Sequence, residues 1–271
     1  MLNSGHNDSV MRKYFNSGNL RLSYLDFGGD SEQVLVMLHG YMANARSFSE
    51  LAVRFKNWRV ISLDQRGHGW SDHPPGEEYA RDDYVDDILN LVRSELGGQP
   101  VTILGHSLGG LNAYQFAARH SELVKAVIVE DIGAEIKADF SFADKLPFRS
   151  ASLKELRDSL ASVGLRAIDY FAESVLEDEH GWGFRTDLKG LQISVLQSNG
   201  VWWDDWLGSS CPILLIHGRK SFILDTNQAK RMEERRPNTK LIVFEQCGHG
   251  VHTDDLHGYY HVVNDFLTEK K

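Results

Sequence analysis

Six short, largely apolar runs restrict the fold of this chain more than any other feature. They are Val34–Leu38, Arg59–Leu63, Val101–Leu104, Lys125–Val129, Pro212–Ile216 and Thr239–Phe244. Each has the length of a strand, and several are apolar throughout, as strands read when a parallel sheet is covered on both faces. Helical patterns lie between them. One is Tyr84–Leu96, with Val85, Ile88, Leu89, Val92 and Leu96 on one side and Gly97-Gly98 as its stop. Others span Ser47–Arg54, Gly110–Arg119, Thr226–Arg236 and Leu256–Leu267. Repeated strand–helix units predict a doubly wound, mostly parallel α/β sheet with right-handed crossovers. Ahead of them, Met11–Asn16 and Leu20–Phe27 flank the turn Asn16-Ser17-Gly18-Asn19 and predict an opening hairpin.

Between Ala134 and Ser210 the rhythm breaks. No buried strand is legible there, helical stretches fall at Ser152–Ser162 and Leu165–Leu176, and aromatics are frequent. The expectation is a mainly helical cap (lid), residues 134–210, inserted into a core domain formed by residues 1–133 and 211–271. The aromatics Phe140, Phe142, Phe148, Tyr170, Phe171, Trp182, Phe184, Trp202, Trp203 and Trp206 would line a pocket or pack as a small core of their own.

Composition removes whole classes of function. A net charge of −9 without a long Lys/Arg run disfavours nucleic acid, whose phosphates require a concentrated basic face. No stretch approaches the ~20 apolar residues of a membrane span. Met1–Val10 is polar, without the apolar region of a signal peptide, so a loose tail and a cytoplasmic location are expected. Cys211 precedes one predicted strand and Cys247 follows the next, which separates them by roughly 17 Å, beyond disulfide reach. His249, His252, His257 and His261 cluster without an H-E-x-x-H pattern, and neither a phosphate-binding nor a dinucleotide-binding glycine motif occurs. No metal and no cofactor is implied.

The loops carry the chemistry. Gly105-His106-Ser107-Leu108-Gly109 sits between an apolar run and a helix, the context of a G-x-S-x-G nucleophile elbow. In open α/β sheets ligands bind outside the carboxyl ends of the strands. His39-Gly40-Tyr41, Asp64–Ser71, Ser107, Asp131 and His249 all fall at such ends. A serine hydroxyl needs an imidazole to take its proton and a carboxylate to hold that imidazole. His249, within Gly248-His-Gly250, is the candidate base. His252 is its rival and is expected on the exposed side.

Taken together, His39-Gly40, Asp64-x-Arg66-Gly67-x-Gly69-x-Ser71, Gly105-His-Ser107-Leu-Gly109-Gly110, Pro212–Gly218 and Gly248-His249 make the chain resemble the α/β-hydrolases, from about Tyr14 to Leu267. These motifs speak for the fold and a Ser–His pair, not for a substrate. The resemblance implies an oxyanion hole formed by the backbone N–H groups of Tyr41 and Leu108. Asp64, Arg66 and His106 read as braces. The acid departs from the common H-G-x-x-D pattern, because Ser221 follows His217-Gly218-Arg219-Lys220. Asp131-Ile132-Gly133 together with Ser221 resembles a subset of small esterases with the acid after the sixth strand. Asp225, which reads as a helix N-cap, and Glu130 remain alternatives. His39, Trp182, Trp202 and Trp203 are candidate pocket walls.

The implied activity is a serine hydrolase of small acyl or aryl carboxylic esters or thioesters, working through an acyl-enzyme. The alternatives are a C–C bond hydrolase, lactonase or perhydrolase with the same triad, and a non-enzymatic ligand-binding protein on this fold. The expected partner is a small-molecule ester or thioester.

Overall fold

β1 (Met11–Ser17) and β2 (Leu20–Asp26) form the opening hairpin. β2 then runs antiparallel to β4 (Arg59–Asp64), which lies beside β3 (Val34–Leu38). From there every pairing is parallel, through β5 (Val101–His106) and β6 (Val124–Glu130). The computed structural model describes residues 10–164 and 174–269. Two later strands, described below as β11 and β12, complete an eight-stranded sheet in the order β1-β2-β4-β3-β5-β6-β11-β12. The expected tail thus lies almost wholly outside the described residues.

The apolar runs are continuous because both sheet faces are buried. On one face Val36, Leu38, Ile61, Leu63, Ile103, Val127 and Val129 pack with α2 (Arg81–Glu95) and α3 (Leu108–Arg119). On the other, Leu35, Met37, Val60, Leu104 and Ile128 pack with the short α1 (Ser49–Ala52) and the C-terminal helices. Alternate strand residues serve opposite faces, so each apolar position has a core to enter. α2 begins three residues earlier than the apolar pattern, because Asp83 accepts the Ala80 N–H at 2.7 Å and caps the first turn.

Residues 134–210 leave the sheet after β6. β7 (Glu135–Ile136) pairs with β10 (Gly200–Val201), and β8 (Val175–Asp178) with β9 (Gly181–Phe184). α4 (Leu153–Ser162), α5 (Leu188–Ser198) and α6 (Trp203–Leu207) belong to the same stretch. The insertion therefore holds strands that the sequence reading missed. Val175 and Leu176 belong to a hairpin, not a helix, and residues 165–173 of the expected Leu165–Leu176 helix lie outside the described residues. Gly181, at φ 115°, makes the reversal that a helix would forbid. Leu146, Leu156, Leu160, Phe184 and Leu191 form a separate small core with Met42. Asp187 fastens the insertion to the loop after β4: its N–H donates to the Gly67 carbonyl at 2.8 Å and its carboxylate accepts the Tyr79 hydroxyl at 2.8 Å.

The chain returns through β11 (Ile213–Gly218), α7 (Thr226–Arg235), β12 (Thr239–Phe244), α8 (Val251–Asp254) and α9 (Leu256–Glu269). Cys211 and Cys247 are free thiols. Among the described residues no helix is long and apolar enough to cross a membrane.

α3 meets the sheet so closely that glycine is required at its start. A Cβ at Gly109 would collide with the Leu38 carbonyl oxygen, and one at Gly105 with the Gly109 carbonyl. Both obstacles are backbone and cannot rotate away. Gly109→Ala is expected to cost about 3 kcal/mol, the upper range of overpacking, read as a lowered urea midpoint. A variant as stable as the parent would contradict this packing.

Candidate active site

The turn between β5 and α3 holds Ser107 at φ 53° and ψ −117°, a strained conformation for a residue with a side chain. Such strain costs roughly 1–3 kcal/mol and persists only where the surroundings enforce it. Here the close approach of α3 to β3 and β5 does so. Ser107 occupies the N-cap position, yet its side chain caps no helix N–H. The hydroxyl instead lines a cavity shared with Tyr41, Leu108 and His249. The N–H of Leu108, at the first helical position, has no intrahelical acceptor available. Among the described residues neither this N–H nor that of Tyr41 enters a hydrogen bond.

Asp131 follows β6 at φ 53°, and its carboxylate accepts His249 Nδ1–H at 2.8 Å. It also accepts His217 Nδ1–H at 2.9 Å, the Gly218 N–H at 3.1 Å and the Ser221 hydroxyl. The imidazole of His249 is thereby oriented with its Nδ1 toward the acid. Its Nε2 makes no hydrogen bond, and Ser107 Oγ is likewise unpaired among the described residues. Such contacts are often loose before substrate binds.

The adjacent carboxylate goes elsewhere. Glu130 accepts both the N–H and the Nδ1–H of His252, each at 2.9 Å. This corrects the placement of His252: it is 3% exposed, not on the outside, because α8 turns it inward onto Glu130. Two neighbouring acids at the end of one strand thus hold two different histidines. Asp225 caps α7, accepting the N–H groups of Asn227 at 2.8 Å and Gln228 at 3.1 Å. It makes no contact with His249.

Electrostatics follow from this packing. Burial alone would raise the Asp131 carboxyl, but hydrogen bonds from His217, His249 and Ser221 outweigh it and hold the group below its ordinary value. Glu130 is also buried, and the pull of His252 with its two hydrogen bonds outweighs that burial and lowers it to about 2. His106 is pushed down to about 3 by burial and is neutral. It donates its Nε2–H to the His249 carbonyl at 3.0 Å, bracing the loop from below.

The cavity has a volume of about 550 Å³, within the range of small-molecule sites. Met42, Leu111, Ile132, Phe140, Phe142 and Phe222 give it apolar walls. None of the four anticipated wall residues lines it. His39 is fully buried and lowered to about 4 by burial; its Nε2 accepts the Gln65 N–H at 3.1 Å while Nδ1 donates to Gly40. Trp182 packs on the insertion's own core. Trp202 and Trp203 pack on the main core, their indole N–H groups held by Ser198 and Glu135. Phe222 was missed. It is 84% exposed and its ring lies 5.8 Å from that of His249, and only its place after Ser221 could have pointed to it.

The family description "alpha/beta hydrolase fold" matches residues 33–168. The chain belongs to the α/β-hydrolase family. It is 26% identical over 257 residues to the 2-(acetamidomethylene)succinate hydrolase of Mesorhizobium japonicum, covering 90% of each chain. It is 28% identical over 221 residues to the 2-hydroxymuconate semialdehyde hydrolase of Pseudomonas putida, covering 78% of this chain and 77% of the relative. The crystal structure of E-2-(acetamidomethylene)succinate hydrolase superposes with a TM-score of 0.82 at 21% identity, over 96% of this chain and 100% of the other, a likeness of fold.

Glu130 links this edge of the sheet to acid stability. Because its folded value lies below the ordinary 4.5, its contribution is complete above pH 4.5 and is lost as the pH falls toward 2. Glu130→Gln is expected to lose about 2 kcal/mol at pH 7, since charge-assisted hydrogen bonds are weakened. It should also flatten the stability profile between these limits. Urea unfolding across pH checks both, and an unchanged acid limb would contradict the assignment.

Proposed function

We propose that this hydrolase cleaves carboxylic esters or thioesters with apolar acyl or aryl groups, with Ser107 as nucleophile, His249 as base and Asp131 as acid. The observation that carries the reading is the His249–Asp131 hydrogen bond of 2.8 Å in a cavity whose wall includes the unpaired Ser107 hydroxyl. Ser107 Oγ attacks the carbonyl carbon while His249 Nε2 takes its proton. Asp131 keeps the other nitrogen protonated and stabilises the imidazolium. The unpaired N–H groups of Tyr41 and Leu108 receive the oxyanion, each worth roughly 3 kcal/mol in such sites. His249 then protonates the leaving alcohol or thiol, an acyl-Ser107 ester remains, and water activated by His249 releases the acid.

The apolar walls favour hydrocarbon acyl groups. Among the described lining residues Lys137 is opposed by Glu135 and Asp139, so a strongly anionic acyl chain finds no net cationic partner there. Residues 134–210 act as the cap, contributing Phe140 and Phe142 to the acyl side. A second reading, in which the same residues hydrolyse a small unsaturated acid, has the sequence likeness to the semialdehyde hydrolase behind it.

On p-nitrophenyl esters of short fatty acids, Asp131→Asn is expected to lose about 10³–10⁴ in turnover. Asp225→Asn, which only removes a helix cap, should stay within a few-fold of the parent. The reverse ranking in steady-state assays would overturn the acid assignment. A preference for carboxylate-bearing unsaturated substrates over these esters would favour the second reading.

A further inference from the structure

The Asp131 carboxylate is shared between two imidazoles. One oxygen, Oδ2, takes His249 Nδ1–H at 2.8 Å and the Ser221 hydroxyl. The other, Oδ1, takes His217 Nδ1–H at 2.9 Å and the Gly218 N–H at 3.1 Å. These donors occupy about all four lone-pair sites of a carboxylate. Among the described residues no Lys or Arg forms an ion pair with Asp131; its charged-type partners are the two histidines.

His217 is fixed as firmly as His249. Its side chain is 1% exposed, and Nε2 lies 2.8 Å from Thr226 Oγ1. Thr226 Oγ1 in turn accepts from Arg219 Nη1 at 3.3 Å. An ionised Asp131 can only accept, so His217 carries its proton on Nδ1, and its bare Nε2 takes the Thr226 O–H. Arg219 is itself paired with Glu245. Among the described residues the other titratable groups around the cluster are His106, whose ring is tilted 4.6 Å from that of His249, and the Glu130–His252 pair, whose imidazole meets His106 edge-on.

We propose that His217 is a positioning residue that sets the basicity of His249, by holding one oxygen of the carboxylate on which His249 depends. This inference rests on the reading of Ser107, His249 and Asp131 as a triad. A donor on Oδ1 draws negative charge away from Oδ2, so the imidazolium formed when Ser107 gives up its proton is stabilised less than by a carboxylate left to His249 alone. Removing that donor returns the charge to His249 and makes it a stronger base. The free enzyme then stays protonated, and inactive, to a higher pH.

The test is the pH dependence of kcat/KM on a p-nitrophenyl ester for the parent, His217→Asn, His217→Phe and Ser107→Ala. An asparagine amide places an N–H where the imidazole Nδ1–H stood, so His217→Asn should keep the parent profile. His217→Phe has no donor, and its acid limb should move to higher pH by about half a unit, a threefold change in proton concentration. An unmoved limb in His217→Phe, or an equal shift in both variants, would overturn the proposal. A purely structural role would lower turnover without moving the limb.

Should His217→Phe fail to fold, ¹⁵N-histidine spectra of the parent decide the matter. Protonated Nδ1 and bare Nε2 on His217 at neutral pH support the proposal, and the opposite tautomer overturns it. If Ser107→Ala retained parent turnover, the triad reading itself would fail, while the spectra would still report whether His217 donates to Asp131.

Discussion

A buried carboxylate with no Lys or Arg partner among the described residues governs this edge of the sheet. Asp131 follows β6, and its donors come from the end of β11, from the loop beyond it and from the loop after β12. An ionised group in such a place is tolerated only when its hydrogen-bonding capacity is filled. The requirement therefore draws three separate chain segments to one point. The loop bearing His249 is held there by its own function as a donor and by His106 beneath it.

The Ser107 side is governed by packing instead of charge. Contact between α3 and the backbone of β3 leaves no room for a Cβ at Gly109, and that contact keeps Ser107 at positive φ. Met42 and Asp131 are also non-glycine residues at positive φ, 62° and 53°. Met42 and Ser107 line the cavity, and Asp131 holds the His249 that lines it. Strain concentrated in this way aims side chains and N–H groups that a relaxed backbone would turn aside. The remainder of the fold, with apolar residues on both sheet faces, supplies the stability against which that strain is held.

Much of the architecture could be read from the chain because its physics is local. A run such as Val34–Leu38 has no polar face, so it needs cover on both sides, and a parallel sheet provides that. The tight turn at Ser107 was legible because the glycines around it answer to a close backbone contact. Contacts distant in sequence were not legible in the same way. His252 was placed outside because nothing near it announces Glu130, which lies 122 positions earlier in the chain. Composition does not distinguish an aromatic that lines a cavity from one that fills a core, so nothing in the chain separates Trp182, Trp202 and Trp203 from pocket walls. The β8–β9 hairpin was overlooked because its strands are short and only partly buried. Phe222 carries no periodic signal at all; its position beside His249 depends on where the β11 loop ends.

The central claim is that Ser107 carries the acyl group during turnover. Acid-quenched protein, taken early in the reaction with an activated ester and digested for mass spectrometry, tests it most directly. The account predicts the acyl mass on the peptide containing Ser107, with the adduct absent when Ser107 is replaced by alanine. Steady turnover with no adduct at Ser107, or with the acyl group on another residue, would contradict it.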